Sequence, residues 1–90
     1  MSVKVQIPPP MREATGGLSD VETSGGTIEA VLKDLIVKHP AIGPKLFKEG
    51  KLQMHVNIYL NDEDIRFLDD LQSPVKEGDL VALIPAVAGG

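Results

Sequence analysis

The sequence predicts an α+β domain in which one main helix packs on one face of a mixed four- to five-stranded sheet. Two segments, residues 3–7 and 54–60, alternate apolar and polar side chains, as half-buried strands do. Between them, apolar residues recur at steps of three and four over residues 28–36, the spacing of an amphipathic helix. A third apolar run, residues 80–85, supplies a last strand.

The composition is that of one small globular domain. The chain has 90 residues, of which 42% are hydrophobic, and its formal net charge is −4. An acidic chain with few aromatic residues is a poor match for nucleic acid or for an anionic membrane surface. The absence of cysteine excludes disulfides, thiolate nucleophiles and thiolate metal ligands.

The first half of the chain is predicted to form a hairpin followed by the helix. The prolines at residues 8–10 end the first strand and form a stiff connector, and residues 11–17 form a loop. A second strand over residues 18–22 runs antiparallel to the first. Thr27 is the expected N-cap of the helix, which ends before Pro40. A short helical turn follows at residues 42–47.

The second half is predicted to complete the sheet. After the strand at 54–60, Asn61 and Asp62 form a turn, because both residue types tolerate a left-handed backbone. Residues 63–67 form a short strand or an extended return, and residues 68–76 form a loop that contributes Leu71 and Val75 to the core. Residues 77–79 make a tight turn into the last strand, which can return beside the first.

This order of elements is the β-grasp, or ubiquitin-like, arrangement, which leaves one sheet face free for partners. We therefore expect a β-grasp domain over residues 1–85 and a flexible C-terminal tail over residues 86–90. The tail ends in Gly89 and Gly90, which have no side chains and could thread a narrow channel. The alternative interpretation is an ordinary frayed terminus.

No internal cluster predicts catalysis or a resident metal. A group of acidic residues at and after the Asn61-Asp62 turn lacks the spacing of a calcium-binding loop. The first interpretation is a solvated acidic loop, and the second is a docking patch for a basic partner. The group consists of Asp62, Glu63, Asp64, Asp69 and Asp70. His39 and His55 lie too far apart in sequence to indicate a zinc site. The one unusual reactive group is the terminal carboxylate of Gly90.

Three stretches carry a resemblance to a known family. They are the opening Val-x-Val-x-Ile-Pro, the segment Val-Asn-Ile-Tyr-Leu-Asn-Asp-Glu-Asp-Ile-Arg-Phe at 56–67, and the ending Ile-Pro-Ala-Val-Ala-Gly-Gly at 84–90. Together they resemble the MoaD/ThiS family of ubiquitin-like sulfur carrier proteins, and especially the CysO-type carriers of actinobacterial cysteine synthesis.

The resemblance implies that the protein is a carrier acted on by an adenylating enzyme of the MoeB/ThiF kind, and not an enzyme itself. That enzyme would use ATP to adenylate the Gly90 carboxylate, and a sulfur donor would then convert it to a thiocarboxylate; the carrier itself would bind no cofactor. The residues threaded into the partner would be Pro85, Ala86, Val87, Ala88 and Gly89. Ile84 and Arg66 are candidate docking residues. Ile84 could equally be a core residue, and Arg66 could equally form a salt bridge within the domain.

The resemblance leaves the sulfur acceptor open. Cysteine synthesis implies a PLP-dependent cysteine synthase and a metalloprotease as further partners. The alternatives are a molybdopterin-synthase small subunit, which would bind a large subunit, and a ubiquitin-like modifier joined to lysines. We expect the protein to be a monomer when it is free of partners. We expect it in the cytoplasm, because the N-terminus lacks the pattern of a signal peptide.

Overall fold

The computed structural model describes residues 2–53 and 55–85. The strands are β1 (Val3–Gln6), β2 (Asp20–Thr23), β3 (Phe47–Lys48), β4 (Lys51–Leu52), β5 (Val56–Leu60), β6 (Glu63–Asp64) and β7 (Leu80–Pro85). The α-helices are α1 (Ile28–Lys38) and α2 (Gly43–Leu46), and 3₁₀ helices span Pro9–Thr15, Pro40–Ile42, Ile65–Phe67 and Asp70–Gln72.

Five strands form one mixed sheet in the order β2-β1-β7-β5-β6. Strand β7 lies in the centre, parallel to β1 and antiparallel to β5. The outer pairs β1–β2 and β5–β6 are antiparallel. Helix α1 packs on one face. This arrangement confirms the predicted α+β, β-grasp class, including the return of the last strand beside the first.

The core lies between α1 and the sheet, and it is aliphatic. Alternation along each strand turns one set of side chains toward the helix, and a stripe along α1 meets them. The fully buried members include Val3, Val5, Ile28, Val31, Leu32, Leu35, Ile42, Leu46 and Val81. Thr27 caps α1 as predicted, because its hydroxyl oxygen accepts a hydrogen bond from the Ala30 N–H at 3.2 Å.

The turn at Asn61 and Asp62 is confirmed as a two-residue hairpin loop. Both residues have positive φ angles, 50° and 71°, which match the twist of the flanking strands. A second two-residue loop, at Glu49 and Gly50, joins β3 to β4 in a small separate sheet. The sequence did not predict this hairpin, because each strand has only two residues and neither shows an apolar period.

Three 3₁₀ helices, at residues 9–15, 65–67 and 70–72, lie in segments that were predicted as loop or extended structure. Residues 9–15 were expected to be a connector and a loop, but Pro9 and Pro10 occupy the first helical positions, where a missing N–H is tolerated. Residues 63–67 form a two-residue strand followed by a 3₁₀ helix, because the Asp64 carboxylate caps that helix by accepting from the Arg66 N–H at 2.9 Å. Within residues 2–53 and 55–85, helices of the length and apolarity needed to cross a membrane are absent.

Candidate functional site

The root of the C-terminal tail is the end of the central strand. In β7, Ile84 is paired with Asn57 and Pro85 with Val56, both on β5. The predicted modified residue Gly90 and the predicted threaded residues 86–89 lie outside the described residues. What the structure describes is therefore the surface from which the tail leaves the domain.

Strand β7 presents opposite environments on its two faces. Val81 and Leu83 face the helix and are 0% and 2% exposed. Ile84 points to the other face and is 42% exposed. The interpretation of Ile84 as a core residue is therefore wrong, because the alternation of the strand carries it away from α1. An exposed apolar side chain next to the tail root is available to a partner.

The sheet face around Ile84 is of mixed polarity. Asn57 stands directly opposite Ile84, and Ala82 lies between Gln6 of β1 and Tyr59 of β5. These side chains give a surface with an apolar strip along β7 and polar neighbours on both sides. Such a surface suits a partner that also supplies hydrogen bonds.

Arg12 lies beside the tail root, and sequence reasoning missed it. It lines an open cavity of about 440 Å³ together with Ile84, Ala82, Gln6 and Asp20. Its Nε donates a hydrogen bond to the Ile7 carbonyl oxygen at 3.0 Å, which orients the guanidinium. No pattern in the sequence indicated this position, because it depends on the 3₁₀ helix at Pro9–Thr15 folding back over the end of β1.

On its other side, the tail root borders a cavity of about 260 Å³. This cavity is lined by Pro85, Lys45, His55, Gln53 and Met11, among others. Of the described residues, two cationic ones, Arg12 and Lys45, and one acidic one, Asp20, line the two cavities that border the end of β7. The surroundings of the tail root are more basic than the chain as a whole, whose formal net charge is −4.

Arg66, the other predicted docking residue, forms a salt bridge within the domain. Its guanidinium Nη2 lies 2.7 Å from an Asp64 carboxylate oxygen. Hydrogen bonds from the Arg66 side chain, then from its backbone N–H, hold the pKa of Asp64 below the ordinary aspartate value. Arg66 lines a different cavity, of about 370 Å³, with Leu52, Val56 and Leu71. The structure therefore does not bring Arg66 and Ile84 into one site.

The acidic residues do not form a metal centre. Across residues 2–53 and 55–85, no three His, Asp or Glu side chains are grouped closely enough to hold an ion. Asp64 is committed to its 3₁₀ helix and to Arg66.

Comparison with known proteins gives a consistent relationship over the whole chain. The profile of the ThiS family matches residues 5–90. The chain is 45% identical over 93 aligned positions to the sulfur carrier protein CysO of Mycobacterium tuberculosis, covering 100% of both chains. It is 31% identical to small archaeal modifier protein 3 of Haloferax volcanii over 64 residues, which is 71% of this chain and 70% of the relative.

Solved structures show the same fold. A chain in the crystal structure of the Amycolatopsis orientalis BexX/CysO complex superposes with a TM-score of 0.91 at 44% identity, covering 98% of this chain and 99% of that one. The β-grasp sheet, the central last strand that leads to a Gly-Gly end and the full-length similarity lead to one conclusion: this chain belongs to the ThiS/MoaD family.

Proposed function

We propose that this protein is a sulfur carrier whose Gly90 carboxylate is converted to a thiocarboxylate. The observation that carries the proposal is the full-length similarity to the mycobacterial sulfur carrier, which extends through the Gly-Gly end. The described tail root supports it, because the last strand is anchored at the centre of the sheet and leads directly into the tail. In this role the protein is a substrate on which other enzymes act.

The chemistry begins with activation of a poor electrophile. The Gly90 carboxylate attacks the α-phosphate of ATP on the adenylating enzyme, and pyrophosphate leaves. The product is an acyl-adenylate, in which AMP is a good leaving group. A sulfur donor then attacks the activated carbonyl carbon, AMP departs, and the C-terminus carries sulfur in place of one oxygen. Binding of the folded domain, far from the reacting atoms, positions the tail for these steps.

The surface around the tail root supplies that binding. Ile84 offers an exposed apolar contact at the end of β7, and Arg12 and Lys45 flank it in the neighbouring cavities. We therefore expect the adenylating enzyme to present an apolar contact rimmed by carboxylates. Such charge complementarity chiefly raises the rate of association and fixes the orientation of docking.

For the acceptor, we propose cysteine synthesis, with a PLP-dependent cysteine synthase that receives the sulfur and a metalloprotease that releases cysteine from the tail. This finer assignment rests on the resemblance to CysO-type carriers. Transfer of the sulfur to a molybdopterin precursor, with a large subunit as partner, would instead make the protein a molybdopterin-synthase small subunit.

The experiment is intact-mass spectrometry of the full chain after incubation with ATP, the cognate adenylating enzyme and sulfide. The expected result is replacement of one oxygen by sulfur at Gly90, located by fragmentation of the C-terminal peptide. An unchanged mass, with an enzyme shown to activate another carrier of the family, would overturn the proposal.

Deletion of Gly90 is the matched control. We expect it to abolish the mass change, because the new C-terminus is displaced from the reactive position by one residue. The thermal transition should stay almost unmoved, because Gly90 has no side chain to pack in the core. A large drop in the transition temperature would contradict a tail that acts only as the reactive end.

A second candidate function is conjugation to lysines of other proteins, as a ubiquitin-like modifier. It is favoured by the similarity to small archaeal modifier protein 3. The two functions share the acyl-adenylate and differ in the nucleophile, which is sulfur in one case and an amine in the other. Stable adducts that carry Gly90 on lysine side chains, found in the same mass-spectrometric experiment with cell extract, would establish the second function.

A further inference from the structure

Phe67 is an aromatic side chain that the fold holds in solvent. It is 82% exposed, and its neighbour Leu68 is 37% exposed. The chain has only two phenylalanines, one tyrosine and no tryptophan, so an exposed ring is a notable use of a scarce residue type. Contiguous exposed apolar side chains with a polar rim are typical of protein interaction sites.

The exposure of Phe67 is built into the local structure. Ile65, two residues earlier, is 2% exposed and anchors the 3₁₀ helix in the core. The Asp64 carboxylate caps that helix, and the Leu68 N–H donates to the Ile65 carbonyl oxygen at 2.9 Å. Because both ends of the turn are fixed, the ring is directed outward by the backbone.

Phe67 and Leu68 line an open cavity of about 610 Å³ at the surface. Leu60 and Pro74 add apolar atoms to its wall, and Glu63 and Asp69 add carboxylates. We call these six residues the Phe67 patch. Asp79 and Lys76 also line the cavity. The Asp79 carboxylate already accepts hydrogen bonds from the backbone N–H of Lys76 at 2.8 Å and from Asn61 Nδ2 at 3.1 Å.

Within residues 2–53 and 55–85, the two carboxylates of the patch form no salt bridge, and Lys76 is the one cationic residue among those that line the cavity. The ion pairs formed by residues 2–53 and 55–85 are Glu29–Lys33, Asp34–Lys38 and Asp64–Arg66. Glu63 and Asp69 take part in none of these. An exposed ring beside two carboxylates is complementary to a cationic side chain, which can contact the π face of the ring while it pairs with the acids.

We propose that the Phe67 patch is a second docking surface, which binds a partner protein through a lysine or arginine next to an aliphatic side chain. The aliphatic group packs on Phe67 and Leu68, and the cation lies between the ring, Glu63 and Asp69. Self-association is disfavoured at this surface, because a symmetric contact between two copies would place these carboxylates opposite each other.

The patch lies at the opposite end of β7 from the tail root. Asp79, in the cavity wall, directly precedes β7, whereas the tail follows Pro85 at its other end. The six residues of β7 separate the two sites by about 17 Å, from the rise of a strand. A partner on the Phe67 patch therefore leaves the end of β7 at Pro85 accessible to a different protein. The binding itself does not depend on the proposed sulfur chemistry.

The test is a titration of the isotope-labelled full chain, followed by amide chemical shifts, with a short peptide in which arginine and leucine alternate. We expect saturable shifts at residues 63 and 67–69. Phe67→Ser should weaken binding by about tenfold or more, as loss of a central aromatic contact does. The double change Glu63→Gln and Asp69→Asn should weaken it less and flatten its dependence on salt.

Val37→Ser is the matched control variant, because Val37 is 77% exposed on α1 and lies outside the patch. It should bind like the parent, and so should the chain without Gly89 and Gly90. Thermal unfolding of each variant verifies that it is folded. If Phe67→Ser does not fold, the double variant Glu63→Gln and Asp69→Asn still tests the patch.

Several results would overturn the proposal. Binding that is unchanged in both patch variants would remove the patch as the site. Equal binding of a peptide with serine in place of leucine would reduce the interaction to non-specific charge attraction. Shifts centred on Ala82 and Ile84 would move the site to the sheet face. Concentration-dependent dimers that are lost in Phe67→Ser would make a second copy the occupant.

Discussion

The two faces of strand β7 differ in burial although they alternate along six consecutive residues. Val81 and Leu83 are enclosed by the core, whereas Ile84, adjacent in sequence to Leu83, is 42% exposed. Both faces carry aliphatic side chains, so hydrophobicity alone does not distinguish them. The difference shows that one central strand packs one face into the core and leaves the other face partly exposed.

The two ends of β7 differ as well. At its start, the Leu80 N–H donates to the Asn61 side-chain oxygen at 2.9 Å, and the Leu80 carbonyl accepts from the Asn61 N–H at 2.8 Å. The Asp79 carboxylate accepts a hydrogen bond from the Asn61 side-chain Nδ2 at 3.1 Å. The end at Pro85 is paired with β5 and leads to the tail. The strand is thus held at its start by a network of polar side chains, whereas its end at Pro85 is held by pairing with β5.

The largest effect is expected on the buried face. Leu83→Ala should lower the free energy of unfolding by about 2–5 kcal/mol, because it removes buried methyl groups and leaves a cavity in the core. Equilibrium unfolding in urea measures the change. A loss below about 1 kcal/mol would mean that the core collapses around the smaller side chain, and the contrast between the faces would be weaker than their burial suggests.

An intermediate effect is expected at the start of the strand, and it depends on pH. Hydrogen bonds from the Lys76 N–H, then from the Asn61 side chain, hold the pKa of Asp79 below its ordinary value. A carboxylate with a lowered native pKa adds stability above its unfolded pKa of about 3.9, and this stability is lost as the pH falls through the native pKa. Asp34 and Asp64 shift in the same direction.

Asp79→Asn should therefore make the loss of stability below about pH 4 shallower. Unfolding free energies of parent and variant, measured from neutral to acid pH, give the comparison. At neutral pH the variant should be less stable, since the charge-assisted hydrogen bonds become neutral ones. An acid limb that is identical in the two proteins would show that Asp79 does not contribute to the stability of this end of β7.

The main elements of the fold could be predicted because their patterns are strong. Three patterns depend on neighbouring residues only: the helical spacing of apolar residues in α1, the apolar-polar alternation of β1 and β5, and the Asn61-Asp62 turn. The 3₁₀ helix at Pro9–Thr15 and the β3–β4 hairpin could not be predicted in this way. Both are short and are held in place by contacts with distant parts of the chain.

The candidate site was predictable only in part. The family resemblance identified Ile84 as a docking candidate, and the alternation of residues 80–85 placed it on the face opposite Val81 and Leu83 without deciding whether it would be buried. Arg12 was missed because its position follows from the tertiary fold. Arg66 was assigned two roles, and the structure shows the one within the domain, since Asp64 lies two residues away and caps the same turn.

The smallest effect on stability, and the sharpest test of the contrast, is expected for Ile84→Ala. Because the side chain is already 42% exposed, its truncation should change the unfolding free energy by less than about 1 kcal/mol. The affinity for the proposed adenylating enzyme should fall by about tenfold if Ile84 is a central apolar contact. Calorimetric titration measures the affinity, and Val37→Ala, on the exposed side of α1, is the control. A loss of stability as large as that of Leu83→Ala would show that Ile84 contributes to the packing of the domain. Full stability with unchanged affinity would show that Ile84 is not part of the docking surface, and Arg12 would then be the next residue to test.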